Sequence, residues 1–200
     1  MAKITKDLKS VITGVLLGDG HLETQNGRTW RLKIEQSIKK KEYVDWLHEK
    51  LRDFVSSPPK KKRKKIGEKM YLNYGFSTVY CGNLRFFGQQ FYSGGKKRVP
   101  RIIKRLLTPL ALAVWFMDDG SKKSNRHCGF IFHTLDFPKR ELRLLQEALK
   151  KNYGIESRIH CQKKYTKVRY RLYIPGRERE KFLKVIKPYL LPLFWYKIKR

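Results

Sequence analysis

The chain has 200 residues, enough for one or two compact domains, and 40% are apolar, with 11 Tyr, 11 Phe and 4 Trp to fill a core. Its 47 Lys and Arg face 17 Asp and Glu, a formal charge of +30 that repels itself unless a polyanion is present. Nucleic acid is the first candidate partner and a membrane surface the second, but no apolar run of about 18 residues exists to span a bilayer, and no long basic amphipathic helix stands out.

Met1 to Asp7 show no apolar signal region. Ser10 is the expected cap of a helix through Ile12-Thr13-Gly14-Val15-Leu16-Leu17-Gly18-Asp19-Gly20. Trp30, Leu32 and Ile34 then alternate with Arg31, Lys33 and Glu35, a half-buried strand with a charged open face. Lys39 to Phe54 reads as an amphipathic helix, ended by Ser56-Ser57-Pro58-Pro59. The run Lys60 to Lys65 is expected as a basic loop between two strands, the second from Tyr71 to Thr78. A short helix spans Leu84 to Phe91, and Ser93-Gly94-Gly95 ends it.

Thr108-Pro109 is a strong helix start, a capping hydroxyl followed by proline at the first helical position. The helix it opens carries Leu112-Ala113-Val114-Trp115-Phe116-Met117-Asp118-Asp119-Gly120. Cys128, Phe130 and Phe132 alternate as a strand; Asp136 is expected to cap a helix from Pro138 to about Tyr153, stopped by Gly154. Arg158 to Gln162 and Arg169 to Ile174 read as strands with basic open faces. Pro175-Gly176 leads into a last helix, broken by Pro188 and Pro192.

Each half thus reads αββαββα, an α+β pattern occurring twice, which suits a pseudo-dimer with a two-fold axis. The expected division is 1–104 and 105–200. Asp19 and Asp119 lie 100 residues apart, and Lys97 and Lys197 each lie 78 residues beyond them (97 − 19 and 197 − 119). An apolar helix that ends on an acid is unusual, because the negative end of the helix dipole repels a carboxylate. Doing so twice points to a need that a helix end does not supply, such as holding a metal ion.

These two apolar-to-Asp-Gly motifs resemble those of monomeric LAGLIDADG homing endonucleases. Leu107 to Gly120 is especially similar to the second motif of the mitochondrial intron-encoded subgroup, as are Val55-Ser56-Ser57-Pro58-Pro59 and Ile186 to Pro192. The resemblance runs from about Leu8 to Lys197. It implies two motif helices packed at a pseudo-two-fold axis and a saddle of antiparallel sheets over the DNA major groove. It further implies that Asp19 and Asp119 hold divalent metal, with Lys97 and Lys197 as basic residues beside them. Gln36 matches the residue that positions water; its second-half counterpart is Thr134 or His133. Gly14 has the small side chain that close helix packing wants, while Val114 stands at the matching place, so Ala111 or Ala113 is expected to allow the approach. Asp118, matched by Gly18, is read as a capping or supporting acid rather than a ligand.

The implied activity is site-specific cleavage of both strands of a long DNA target. Mg²⁺ is the expected cofactor, with Mn²⁺ or Ca²⁺ able to take the same sites, because two carboxylates with magnesium can neutralise phosphate, supply a water nucleophile and stabilise the leaving oxygen. Arg31, Lys33, Glu35, Lys60, Lys62, Lys64, Asn73, Arg158, His160, Gln162, Arg169 and Arg171 are the expected contacts to double-stranded DNA. A solvated surface is the plain alternative for each. A monomer is expected, because both halves share one chain. The rival reading is an RNA maturase or non-cleaving nucleic-acid-binding protein on the same scaffold; a basic ribosome-associated protein would explain the charge but not the paired acids. Cys81, Cys128 and Cys161, scattered and odd in number, suggest free thiols in a reducing compartment, an organelle matrix or prokaryotic cytoplasm. The pairs His127-Cys128 and His160-Cys161 lack zinc-site spacing; Cys128 and Cys161 are expected in the core. The four tryptophans are expected as core anchors.

Overall fold

The computed structural model describes residues 3–124, 127–164 and 167–199. The first half runs α1 (Lys6–Leu17), β1 (His21–Thr24), β2 (Trp30–Ser37), α2 (Lys41–Lys50), β3 (Lys60–Ile66), β4 (Lys69–Ser77) and α3 (Arg85–Phe91). A small hairpin, β5 (Tyr92–Ser93) with β6 (Lys96–Lys97), and a short helix α4 (Ile103–Leu106) follow. The second half repeats the order as α5 (Pro109–Asp119), β7 (Gly120–Ser124), β8 (His127–Phe132), α6 (Lys139–Tyr153), β9 (Arg158–Lys164), β10 (Lys167–Ile174) and α7 (Arg179–Ile186). Two four-stranded antiparallel sheets result, ordered β1-β2-β4-β3 and β7-β8-β10-β9. This identical strand order is the structural form of the sequence repeat.

The helices α1 and α5 pack directly on each other. Gly14 makes the approach possible: a Cβ there would lie 2.6 Å from both Ala111 O and Val114 Cβ. The expected role of Ala111 holds, and Val114 fills the space that Gly14 leaves. Helix α5 is buried from Ala111 through Asp118, so it is apolar all round rather than along one stripe. Trp115 stacks on Phe132 with ring centroids 4.0 Å apart, and Phe116 meets Phe130 edge-on at 5.4 Å. One continuous apolar cluster runs through both halves. Fully burying each such large side chain contributes about 1.5–3 kcal/mol.

Several local expectations are corrected. Thr5, not Ser10, caps α1, accepting from Leu8 N at 3.2 Å; Ser10 instead donates to Lys6 O. Lys60 to Lys65 form a strand rather than a loop, because β4 offers an edge and pairs Lys62 with Asn73 and Lys64 with Tyr71. The Lys39 to Phe54 helix is split into 3-10 turns around α2, with a break at Leu51. Pro138, not Asp136, stands at the start of α6, with no side-chain cap. Gly154 ends that helix at φ 64°, a left-handed conformation that glycine adopts freely. Cys128 and Cys161 are exposed and only Cys81 is buried. Trp195 is 45% exposed instead of a core anchor.

Candidate active site

The two motif helices deliver their acids unequally. Asp119 is the last residue of α5, whereas α1 ends at Leu17 and Asp19 lies beyond Gly18, in the turn that enters β1. The negative ends of both helices are offset by a lysine from the same half. Lys97, on β6, donates to Gly18 O at 2.6 Å. Lys197 donates to Met117 O at 2.7 Å and Phe116 O at 3.1 Å. The equal 78-residue spacings therefore lead to similar positions, one residue out of register. Burial lowers the pKa of Lys97. Burial and then Lys40 bring Lys197 down to about 8.

Asp118 sits at the junction of the halves, 9% exposed. Its Oδ2 accepts the Asp19 backbone N–H at 3.3 Å and its Oδ1 accepts from Gln36 Nε2 at 3.1 Å. Gln36 Nε2 also donates to Asp19 Oδ2 at 2.8 Å. Strand alternation accounts for this: Leu32, Ile34 and Gln36 point inward, while Arg31, Lys33 and Glu35 point out. Lys40 completes the group, donating to Gln36 Oε1 at 2.9 Å and lying 3.9 Å from Asp19 Oδ2. Sequence reading missed Lys40, because nothing in Lys39-Lys40-Lys41 distinguishes the middle residue. Only the 3-10 turn after β2 aims it back at Gln36.

The second half has no such arrangement among the described residues. Thr134 turns its hydroxyl to Tyr170 O at 3.1 Å. His133 Nε2 lies 2.9 Å from Ser121 Oγ, and its backbone N–H donates to Asp119 O at 3.1 Å. The Asp119 carboxylate instead accepts Trp115 Nε1 at 3.3 Å. Gly18 explains why one central acid fits and not two. A Cβ on Gly18 would lie 2.5 Å from both Cβ and Oδ2 of Asp118.

Burial, and next the charge of Asp19, push the Asp118 carboxyl up to about 8 and Asp119 up to about 7. Bringing these acids together is unfavourable unless positive charge joins them. Carboxylate oxygens are the donors that a small hard dication takes. No group of three or more His, Cys, Asp or Glu among the described residues forms a complete metal cage. A dication here would fill its remaining positions with water and phosphate oxygen, as magnesium characteristically does. The donor set therefore fits a small hard dication.

The outward sheet faces carry the other expected residues. In the first sheet, Glu23 holds Arg31 at 2.7 Å and Lys33 at 3.5 Å, and Glu35 accepts from Asn73 Nδ2 at 2.8 Å with Lys62 3.6 Å away. An open groove of about 530 Å³ joins Asp19 to Lys33, Glu35, Lys62 and Lys64; it is also lined by His21, which sequence reading passed over. Lys60 lies further out, beside Arg31 and Lys62 in a second groove. In the second sheet, register places Arg169 opposite Gln162, Arg171 opposite His160 and Tyr173 opposite Arg158, so these residues share one face. His160 stacks on Tyr173 at 4.5 Å. The structure thus gathers Asp19, Asp119, Gln36, Lys97 and Lys197 at the ends of the motif helices, and spreads the remaining expected residues over the two sheets.

Residues 9–182 match the model of the LAGLIDADG DNA endonuclease family. The DNA endonuclease I-ChuI of Chlamydomonas applanata is 29% identical over 208 residues, covering 98% of this chain and 95% of that protein. The cytochrome b mRNA maturase bI2 of Debaryomyces hansenii is 30% identical over 200 residues, covering 98% of this chain and 74% of that one. The fold is that of the homing endonuclease I-WcaI, solved bound to its DNA recognition sequence, with TM-score 0.91, 23% identity, and coverage of 100% of this chain and 88% of that one. With paired acids on packed helices, twin sheets of one strand order and a family match across most of its length, the chain belongs to the LAGLIDADG DNA endonuclease family.

Proposed function

We propose that this chain is a site-specific endonuclease that binds one long duplex across its two sheets as a monomer and hydrolyses both strands with a divalent cation, magnesium being the best fit. The observation that carries this reading is the meeting of Asp19 with Asp118, the neighbour of Asp119, where α1 and α5 end, beside the groove that leads onto the basic strands.

Asp19 and Asp119 would hold the cation, which supplies charge neutralisation at the phosphate and an activated water. Gln36, fixed from both sides by carboxylate and lysine, orients a water through its carboxamide. Lys97 and Lys197 keep positive charge beside the reacting phosphate, where it can stabilise developing negative charge. Arg31 and Lys33 on β2, Lys60, Lys62 and Lys64 on β3, and the basic residues of β9 and β10 meet the duplex, with phosphate contacts positioning it and Arg171 or Arg169 reading base edges. Affinity should fall by roughly a thousandfold or more between 50 and 200 mM salt if about six to ten phosphates are neutralised.

The test is cleavage of a randomised duplex library in Mg²⁺. Asp19→Asn and Asp119→Asn should each end double-strand cutting and leave duplex binding largely intact. Full cutting by either variant would refute the assignment. The D. hansenii relative is named a maturase, so RNA splicing assistance is the second reading; absence of cutting by the unaltered chain on every library member would favour it.

A further inference from the structure

At the opposite end of the motif helices lies a third open groove of about 340 Å³, lined by Lys6, Asp7, Lys9, Arg105, Pro109 and Tyr189 among others. Its size is that of small-ligand clefts, about 300–1,000 Å³. The helix α1 has 12 residues and is about 18 Å long at 1.5 Å rise per residue, and the groove lies around its first turns while the acids lie past the other end. The catalytic reading therefore gives it no role.

Its chemistry is specific. Lys6, Lys9 and Arg105 outnumber Asp7, and no ion pair ties any of them down among the described residues. Tyr189 stands 43% exposed in the 3-10 turn before Leu190. Lys9 Nζ also sits 4.7 Å over Phe86, itself 37% exposed, so a second ring lies under one of these cations. The helix ends are not the attraction, since Thr5 and Thr108 already cap them. Cations interleaved with open aromatic faces are how proteins hold unpaired nucleotides, the base stacking on a ring and the phosphates meeting the charges. A duplex offers no free base face, which sets this groove apart from the basic sheets.

We propose that this groove binds unpaired polynucleotide, with Tyr189 as the stacking platform and Lys6, Lys9 and Arg105 as phosphate contacts, while duplex occupies the sheets. The experiment uses short oligouridylate and oligothymidylate carrying photoreactive bases, with the full chain and excess random duplex. Cross-links should fall on Tyr189 and the Lys6 to Lys9 segment and persist with duplex present. Tyr189→Ala and Arg105→Glu should each weaken oligonucleotide binding by about tenfold, and Tyr189→Phe should bind like the unaltered chain. Duplex binding and the thermal midpoint should not move in any of these exposed-site variants. Preference for oligouridylate would identify RNA as the ligand; equal binding would identify unpaired strands of either sugar. Cross-links confined to β3, β4, β9 and β10, loss of the cross-link on adding duplex, or no oligonucleotide binding would overturn the proposal.

Discussion

The two halves share a strand order and a lysine that caps each motif helix, yet their central chemistry differs. In the first half, Gln36 and Lys40 hold Asp19 in a bonded network. In the second, the equivalent polar residues turn away and Asp119 rests on an indole N–H. Asp118 crosses the junction and serves the first half, in space that Gly18 leaves empty. The scaffold is therefore duplicated while the support of its acids is not. Packing demands the same helices and sheets on both sides, but two side chains cannot occupy one place on the axis.

The sharpest way to break this comparison is to remove the one-sided network. Gln36→Ala and Lys40→Met should slow cutting of one strand by about a hundredfold or more, the usual scale for a positioned group that aids proton transfer. The other strand should change much less, so nicked duplex accumulates. Strand-resolved single-turnover assays would show it, and equal slowing of both strands would mean that the network serves both centres.

The next effect is steric. Gly18→Asp places a second acid against Asp118 and should destabilise the chain by several kcal/mol, as overpacking and an unpaired buried charge combine. Gly14→Ala, against Ala111 O and Val114, should cost about 1–3 kcal/mol. Thermal or denaturant unfolding measures both. Adding Asp118→Gly to Gly18→Asp should recover much of the loss, because one acid then again fills the junction.

Proton linkage is smaller and has a definite sign. Asp118 and Asp119 titrate at about 8 and about 7 in the folded chain instead of 3.8, so between these values the folded state holds more protons than the unfolded one. Stability of the metal-free chain should therefore fall as pH rises from about 4 to about 8. Lys197, lowered to about 8 from 10.5, makes the opposite contribution above that, where stability should rise again. Unfolding midpoints measured across this range with and without Mg²⁺ would show a minimum near pH 8 that the cation fills in. A flat profile would show that the acids are neither desolvated nor pressed together as the geometry requires.

The smallest contrast lies between the sheets. Arg171→Ala should cost about 1–3 kcal/mol and relax preference at one or two base pairs. Lys62→Ala, by contrast, should weaken all sequences alike and reduce the salt slope by about one. A cleavage profile over singly substituted targets separates the two, and exchange of these outcomes would reverse the choice of reading face.

Only the family resemblance pointed to Gln36; sequence by itself determined the repeat, the motif helices, the strand alternation and the spacing of Asp19, Asp119, Lys97 and Lys197. These follow from periodicity and spacing, which are local or translational properties of a chain. Tertiary structure decided what depends on neighbours distant in sequence. Lys60 to Lys65 became a strand because β4 offered hydrogen bonds, although six consecutive cations resemble a solvated loop. Cys128 became exposed despite its alternation with Phe130 and Phe132, since the far end of β8 extends past the core. Lys40 acquired its place only when a turn aimed it at Gln36, and Asp118 acquired its partners only when the second helix met the first. A side chain's face can be read from its strand or helix, but its hydrogen-bond partner across an interface exists only once both surfaces have packed.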